Sequence, residues 1–552
     1  MKIKRTIMTP MVVALLALAT GGWLLQRGVE PGRNVYANSR VFNEVMRYVS
    51  EGFVDQKDDS ELYRMAIDGM LEQLGDPHTG FMPAKEYEDL RITTQGEYGG
   101  LGISISKRAG WITVINPLPG TPGERAGLRA GDQIIEVNGE TTKSWTEEQA
   151  VAKLRGPKGT AVDLKIARFG DAIPFKIVRD AIHLKSVPTD YMLEKDIGYV
   201  ELTVFSESST DELRAALQRL RGQGARAVIL DMRGNSGGLL DQGVAVSDLF
   251  LDRGQLVVET KGRVESQNHK IQAVDPDEYP GMPLVVLVGE RSASATEIVA
   301  GALQDHDRAL VLGRTTYGKG SVQTVFKLSD NNWLKLTTAK WYTPSGRSIQ
   351  RPFGDDHPVE AIVDPTADPT ASSTHDATTD RPTYKTDGGR VVFGGGGIRP
   401  DVVVMPDTLT LAERVFVQVA LDNENQAKYR EAQFAYGVRF NKEHPDIKPG
   451  FEVTQAMRDE FYAELKQAGL DVDRAAYDDA RRWVDIQLGR EITYSRWGVA
   501  ENRKRENRSD PQVRIATELL RKAKDPKSLF AAATTYESNT KTAGAARGGS
   551  DR

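Results

Sequence analysis

Two residues of this 552-residue chain stand out for the chemistry they could do together. Ser294 lies in Gly289-Glu-Arg-Ser-Ala-Ser-Ala-Thr-Glu297, and Lys319 lies in Tyr317-Gly-Lys-Gly320. A serine hydroxyl attacks a carbonyl only after a base takes its proton. A plausible base just downstream is a lysine, which can accept a proton only when burial or its neighbours keep it neutral. Glycines on both sides of Lys319 let the backbone approach closely and turn that side chain inward. Ser294 at a helix start gains from the local positive potential, and the Ala295 N–H could face an oxyanion. The same residue types also suit a helix cap and a solvated loop lysine, and the pair by itself does not decide between these readings.

The elements that must hold these residues are legible as patterns. The apolar run Pro283–Val288 predicts a buried strand before Ser294, and Glu297–Leu303 predicts an apolar helix after it. Over 190–350, strands are expected at Ile197–Phe205, Ala227–Met232, Leu284–Val288, Ala309–Leu312 and Trp333–Thr338. Helices are expected at Asp211–Arg221, Leu239–Leu249 and Thr296–Gln304. This alternation of apolar strands and helices implies an α/β layer with mainly parallel pairing. A second loop, Asp231-Met-Arg-Gly-Asn-Ser-Gly-Gly238, joins a strand to a helix there. Its paired glycines Gly237 and Gly238 expose N–H groups that suit an anion, or simply make a turn.

Upstream, residues 95–182 carry short β-rich runs at Leu101–Ser106, Trp111–Ile115, Gln133–Val137, Val162–Ala167 and Phe175–Val178. Glycine, proline and aspartate turns separate them, and a short helix fits Thr146–Leu154. The loop Glu97-Tyr-Gly-Gly-Leu-Gly-Ile103 precedes a strand. It could hold a peptide carboxylate on main-chain N–H groups while the strand edge adds the peptide, or it could be a hairpin turn. A dinucleotide fingerprint needs a helix after the glycines, so that reading fails.

Residues 36–94 read as a small helical domain, with Val41, Val45 and Tyr48, and then Leu62, Met65 and Met70, at helical spacing. Residues 183–404 form the α/β core, with 355–390, rich in Asp, Pro, Thr and Ser, as a flexible insertion. Residues 405–535 are charged and helical, and 536–552 are expected to be a disordered tail.

Formal net charge is −5 and no basic stripe is interleaved with aromatics, so nothing favours nucleic acid. The absence of cysteine excludes thiol catalysis and disulfides. No histidine or glutamate spacing suggests a metal, and no metal or cofactor is expected. Lys2, Lys4 and Arg5 precede an apolar run from Ile7 to Leu25. Residues 1–30 therefore read as a signal peptide or membrane anchor, either of which puts the rest of the chain outside the cytoplasm. A Ser-His reading would use His78 or His306, but no Gly-x-Ser-x-Gly elbow surrounds Ser294.

Taken together, the segments resemble the carboxyl-terminal processing peptidases, or tail-specific proteases. The resemblance covers about residues 40–404 and rests on five motifs in order. These are Asp76-Pro-His-Thr79; the glycine loop at 99–102 with Gly127-Leu-Arg-Ala-Gly-Asp-Gln-Ile134; Arg233-Gly-Asn-Ser-Gly-Gly238; Ser292-Ala-Ser-Ala-Thr-Glu297; and Tyr317-Gly-Lys-Gly-Ser-Val-Gln323.

The resemblance implies Ser294 as nucleophile and Lys319, twenty-five residues on, as general base. It implies Gln323 as the residue that orients the lysine, and Ala295 with Gly237 and Gly238 as the oxyanion hole. Residues 95–182 then resemble a PDZ domain whose loop Gly100, Leu101, Gly102 and Ile103 holds an apolar C-terminal tail. Arg155 corresponds to an arginine that couples PDZ position to the active site. Thr296 and Ser236 depart from the more usual serine and proline, at positions that do no chemistry. By the same resemblance the helical regions would make homodimer or larger contacts, and the protein would act in the periplasm or on the outer face of the membrane. A catalytically silent peptide-binding scaffold is the rival from another class, and the intact Ser294, Lys319 and Gln323 speak against it.

Overall fold

A computed structural model describes residues 35–352, 381–422 and 424–548. The signal or anchor segment and most of the expected insertion lie outside the described residues. Among the described residues no helix is long and apolar enough to cross a membrane. The chain divides into two units at Phe81. In the first, helices α1 (Val35–Gly52) and α2 (Asp59–Glu72) bury only part of the expected apolar set: Leu62 and Leu71 are buried, while Val41, Val45, Tyr48, Met65 and Met70 stay exposed.

The second unit begins with helix α3 (Ala84–Gln95), whose end is capped by Gly96 in the left-handed conformation. The chain then enters a β-rich module through β1 (Glu97–Gly100) and leaves it through β7 (Asp180–His183), and these two strands pair antiparallel. Between them, β2 (Ile103–Arg108), β3 (Trp111–Pro117), β4 (Gln133–Val137), β5 (Ala161–Arg168) and β6 (Asp171–Val178) form one sheet, with helix α4 (Glu147–Leu154) beside β2. Their apolar sets, including Ile112, Ile134, Val162 and Ile166, close a small core of their own. The β1–β7 ribbon had no clear sequence signal, because Gly99 and Gly100 read as loop.

The central sheet has the order β8 (Thr189–Met192), β9 (Ile197–Glu201), β10 (Ala227–Asp231), β13 (Leu284–Val288), β14 (Leu310–Gly313), β19 (Val402–Val403). Only β8–β9 is antiparallel; the remaining pairs are parallel. β10 and β13 are buried along their whole length, as strands covered on both faces must be. One face is covered by α5 (Ser209–Gly222), α6 (Leu240–Asp248) and α7 (Ala295–Asp305). The other is covered from far along the chain by α12 (Pro511–Lys522) and the start of α13 (Pro526–Gly548), through Val513, Leu519, Leu520 and Leu529.

Three expectations change. Trp333–Thr338 does not join the parallel layer. It belongs to β16 (Trp333–Tyr342), which pairs antiparallel with β15 (Ser321–Lys327) and β11 (Leu256–Gly262), while β12 (His269–Gln272) extends that second sheet. At the end of the expected insertion, β17 (Thr383–Lys385) pairs as an ordered hairpin with β18 (Val391–Phe393), which lies just past it. The expected disordered tail from 536 is helical as far as Gly548, because α13 starts on the apolar underside of the central sheet and simply continues. Helices α8 (Leu411–Ala420), α9 (Asn425–Glu443), α10 (Gln455–Gln467) and α11 (Arg481–Asn507) share an aromatic-rich core with Phe416, Tyr436, Phe461 and Trp483.

Candidate active site

The three candidate loops follow the carboxyl ends of three adjacent parallel strands. β10, β13 and β14 are neighbours, with Asp231 opposite Leu287 and Val288 opposite Gly313. Residues 232–238, 289–294 and 314–320 therefore emerge side by side. This is the edge where open parallel sheets form their ligand crevices.

Ser294 ends the middle loop with φ 57° and ψ −117°, a backbone state that L-residues avoid. Holding it costs on the order of 1–3 kcal/mol, which the surroundings must supply. The supports are visible. The Ala293 N–H donates to the Asn235 carbonyl at 3.1 Å, and the Thr296 hydroxyl donates to the same oxygen at 2.9 Å. The Ser292 hydroxyl donates to the Met232 carbonyl at 2.8 Å. Asn235 in turn donates to the Leu202 carbonyl at 3.0 Å and accepts from the Gly237 N–H at 2.8 Å. Ser294 itself is half-buried, and α7 begins at the next residue.

Gly237 abuts this turn. A β-carbon there would lie 2.8 Å from Ser294 Cβ and 3.1 Å from the Ala295 nitrogen, and φ is 101°. The same substitution at Gly238 would drive into the Phe205 carbonyl at 2.1 Å. Gly237 and Ala295 thus lie beside Ser294, while Gly238 packs against Phe205.

Glu297 joins the serine loop to the lysine loop, and no sequence reading assigned it a role. It is fully buried. Its carboxylate accepts from the N–H groups of Ser294 at 2.8 Å, Gly318 at 2.7 Å and Lys319 at 2.9 Å, and from the Thr316 hydroxyl at 2.5 Å. Burial pushes its carboxyl above the ordinary glutamate range, and these donors oppose that rise. The spacing Ser294-x-x-Glu297 is that of a capping box, and this was the available signal. Here the glutamate half of the box reaches the Ser294 N–H and then continues to the next loop.

Lys319 is half-buried between buried glycines. Its N–H is held by Glu297, and its carbonyl accepts from the Trp341 indole at 3.1 Å. A β-carbon at Gly318 would lie 2.9 Å from the Gly397 nitrogen, and one at Gly320 would lie 3.0 Å from the Gln350 nitrogen. Gln323 sits on β15 just past a register break. Its amide donates to Ser321 at 2.9 Å and Thr337 at 3.1 Å.

The loop at 231–238 has its own anchor. Buried Asp231 accepts from the Arg233 side chain and N–H and from the Tyr199 hydroxyl at 2.7 Å. Burial would raise the Asp231 carboxyl, but the Arg233 charge outweighs it and holds the group below the usual aspartate range.

The His306 alternative does not reach Ser294. His306 caps the far end of α7, about 16 Å along an eleven-residue helix, and bonds Asp387 and the Leu256 carbonyl. His78 lies in the first unit, in a turn where its N–H donates to Asp76.

In the β-rich module, Gly102 has φ 68°, and a β-carbon there would strike Thr121 at 2.3 Å. The Leu101 carbonyl accepts from the Gly123 N–H at 2.8 Å, and the Gly102 carbonyl accepts from the Leu118 N–H at 2.8 Å and the Thr121 hydroxyl at 2.9 Å. Across each trans peptide the N–H points opposite its carbonyl. The N–H groups of Gly102 and Ile103 therefore face away from this turn. β2 lies at the end of its sheet, and Glu147 of α4 accepts from the Lys107 N–H at 2.7 Å. Arg155 stacks over Tyr98 at 4.8 Å and reaches Asp89 of α3 at 3.4 Å, so it joins the module to its entry helix.

A PDZ module inserted ahead of an α/β serine peptidase core is the class this architecture defines. Family models agree: "Peptidase family S41" matches residues 196–359 and "PDZ domain" matches 89–167. A "Carboxy-terminal-processing protease" from Bartonella bacilliformis is 43% identical over 324 residues, covering 58% of this chain and 74% of that protein. "Carboxy-terminal processing protease CtpA" of Bacillus subtilis is 36% identical over 310 residues, covering 56% of this chain and 66% of that protein. Among solved structures, a photosystem II D1 C-terminal processing protease is 30% identical and is covered to 89%, spanning 56% of this chain, with a TM-score of 0.33. The chain belongs to the carboxy-terminal processing protease family.

Proposed function

We propose that this protein is an endopeptidase that captures apolar C-terminal tails on its PDZ module and cleaves them with a Ser294–Lys319 dyad. The observation that carries this reading is the buried Glu297 carboxylate, which binds the main chain of both dyad residues at once. Neutral Lys319 takes the Ser294 hydroxyl proton while the oxygen attacks the scissile carbonyl. The N–H groups of Ala295 and the Gly237-Gly238 turn bind the oxyanion. The lysine proton passes to the leaving amine, which departs and leaves an ester on Ser294. Water, deprotonated by Lys319, hydrolyses that ester and restores the serine. Gln323 orients the lysine in this scheme. Gly100, Leu101, Gly102 and Ile103 receive the tail carboxylate, and the tail adds to the β2 edge. Arg155 transmits PDZ position through α3.

Lys2, Lys4, Arg5 and the apolar run after them support action outside the cytoplasm, in the periplasm or at the membrane face. The exposed Val41, Val45, Tyr48, Met65 and Met70 support self-association through the N-terminal helices. The test of the dyad is Ser294→Ala assayed on a protein with an apolar tail. Cleavage should fall by at least about 10³-fold with binding retained. Cleavage at the wild-type rate would refute the reading. So would a Lys319→Ala enzyme that keeps its rate and its pH profile.

A further inference from the structure

Asn235 is bonded to both sides of the candidate active site. It is fully buried and lies in the turn after β10, two residues before Gly237. Its side-chain amide donates to the Leu202 carbonyl at 3.0 Å, just past the end of β9. Its side-chain oxygen accepts from the Gly237 N–H at 2.8 Å. Its own carbonyl accepts from the Ala293 N–H at 3.1 Å and from the Thr296 hydroxyl at 2.9 Å, on either side of Ser294 in the chain. One residue thus ties the ends of β9 and β10 to the strained turn that opens α7.

Asparagine suits the place for a chemical reason. A carboxamide offers a donor and an acceptor at fixed separation, and Leu202 and Gly237 need one of each. An ionised aspartate has the same shape but can only accept. The glycine turn is held from its other end as well. The Phe205 N–H donates to the Gly237 carbonyl at 3.0 Å, and the Leu239 N–H donates to the Phe205 carbonyl at 2.8 Å. Leu202 and Phe205 belong to the one segment that follows β9, so the Asn235 side chain and the Gly237 peptide are fixed to a common frame. The Asn235 main chain then fixes the serine turn to that frame.

We propose that Asn235 is a positioning residue for peptide cleavage, which sets the Gly237-Gly238 turn at its working distance from the Ser294 hydroxyl. A reacting carbonyl must meet the serine oxygen and the oxyanion donors at once, and an error of about 1 Å in that spacing costs about 10²-fold in rate. Without Asn235 the two turns lose the residue that registers one against the other. The proposal rests on the dyad and oxyanion reading above and adds to it the group that holds the two halves in step.

The test measures kcat and KM of the full-length enzyme on a tailed protein, per folded molecule as judged from melts. Asn235→Ala leaves the Leu202 carbonyl and the Gly237 N–H unanswered, and should lower kcat about 10²-fold with KM unchanged, since misplaced oxyanion donors weaken only transition-state binding. Asn235→Asp is the sharper variant. Protonated, its carboxyl donates to Leu202 and accepts from Gly237 as asparagine does; ionised, it loses the donor and sets a negative charge beside the developing oxyanion. Burial lifts such a carboxyl toward neutrality, so the ratio of its kcat to that of wild type should rise about tenfold as pH falls from about 9 to about 6. A residue that only stabilises the fold would lower the melting temperature and leave kcat and this ratio unmoved. Wild-type kcat in Asn235→Ala, or a flat ratio in Asn235→Asp, would overturn the proposal. Should neither variant fold, Thr296→Val removes one donor from the Asn235 carbonyl at constant shape and should lower kcat about fivefold, the worth of one hydrogen bond; an unchanged kcat there overturns it equally. Ser294→Ala in the same assay separates the two levels. If it is dead while the Asn235 variants are normal, only the positioning role fails; if it is active, the dyad reading fails first.

Discussion

The two walls of the candidate active site are built on buried carboxylates with opposite surroundings. On the lysine side, Glu297 takes only neutral donors, all from residues 294–319. On the oxyanion side, Asp231 is matched by a full positive charge, and that guanidinium goes on to Asp510, 277 positions further along the chain. The first wall is local and self-contained. The second depends on a remote helix. A hydrogen-bonded carboxylate without a counter-ion ties the main chains of Ser294 and Lys319 together over a short range. An ion pair can be shared, and Arg233 is shared between Asp231 and Asp510.

The largest effect expected is from Lys319→Ala, at least about 10³-fold in kcat with an unchanged melting temperature, since in the proposed dyad its side chain carries the proton and its loop is held by main-chain bonds. A tenfold loss or less would mean that neither wall serves a lysine base. Asp231→Asn follows, with about 3 kcal/mol of stability lost in denaturant melts near neutral pH, because it leaves Arg233 short of its buried partner. Glu297→Gln turns a carboxamide N–H toward main-chain N–H groups and should cost about 10²-fold in kcat, with a lowered melting temperature. Wild-type kcat in this variant would show that the lysine loop needs no carboxylate.

The two variants should also respond to pH in opposite directions. The folded Asp231 carboxyl is depressed, so its contribution is present above the unfolded aspartate value of about 3.9 and lost as pH falls through the folded value. The gap between wild type and Asp231→Asn should close in acid. The folded Glu297 carboxyl is raised, so its contribution is full below the unfolded glutamate value of about 4.3 and lost as pH rises through the folded one. The gap to Glu297→Gln should widen in acid, and parallel pH profiles would erase the distinction between the walls. The smallest effect expected is from Gly102→Ala, which strains the left-handed position against Thr121. KM for a tailed protein should rise about tenfold while a tail-less peptide is cleaved as before.

Much of the site was legible before any coordinates. The Ser294 and Lys319 loops carried recognisable spacing, and the apolar runs before them marked buried strands. Glu297 was written into the same segment, but its partner Thr316 and the N–H groups of Gly318 and Lys319 come from another loop, and capping spacing speaks only to its own helix. Trp333–Thr338 went to the wrong sheet because alternation reports a strand and not its neighbour. The stretches at Leu256–Gly262 and Ser321–Lys327 were passed over because charged and polar residues interrupt their apolar positions. The helix continuing to Gly548 was unexpected because small and polar residues there resemble a solvated tail.

The sequence by itself determined the family resemblance, the order of the modules, the candidate dyad and the glycines that must surround it. These are local properties: a left-handed turn needs glycine, a nucleophile needs a base, and an apolar run needs burial. The tertiary structure alone decided that the three loops emerge from adjacent strands, that Glu297 binds two of them, and that Val513 to Leu529 cover the underside of the sheet. It also decided that Asp510, far along the chain, is the residue that pairs with Arg233. An amphipathic face states that it must be covered, and a buried charge states that it must be paired. Which distant residue does the covering or the pairing is a property of the whole fold, because many segments of the chain satisfy the same local requirement and only the packed arrangement selects one.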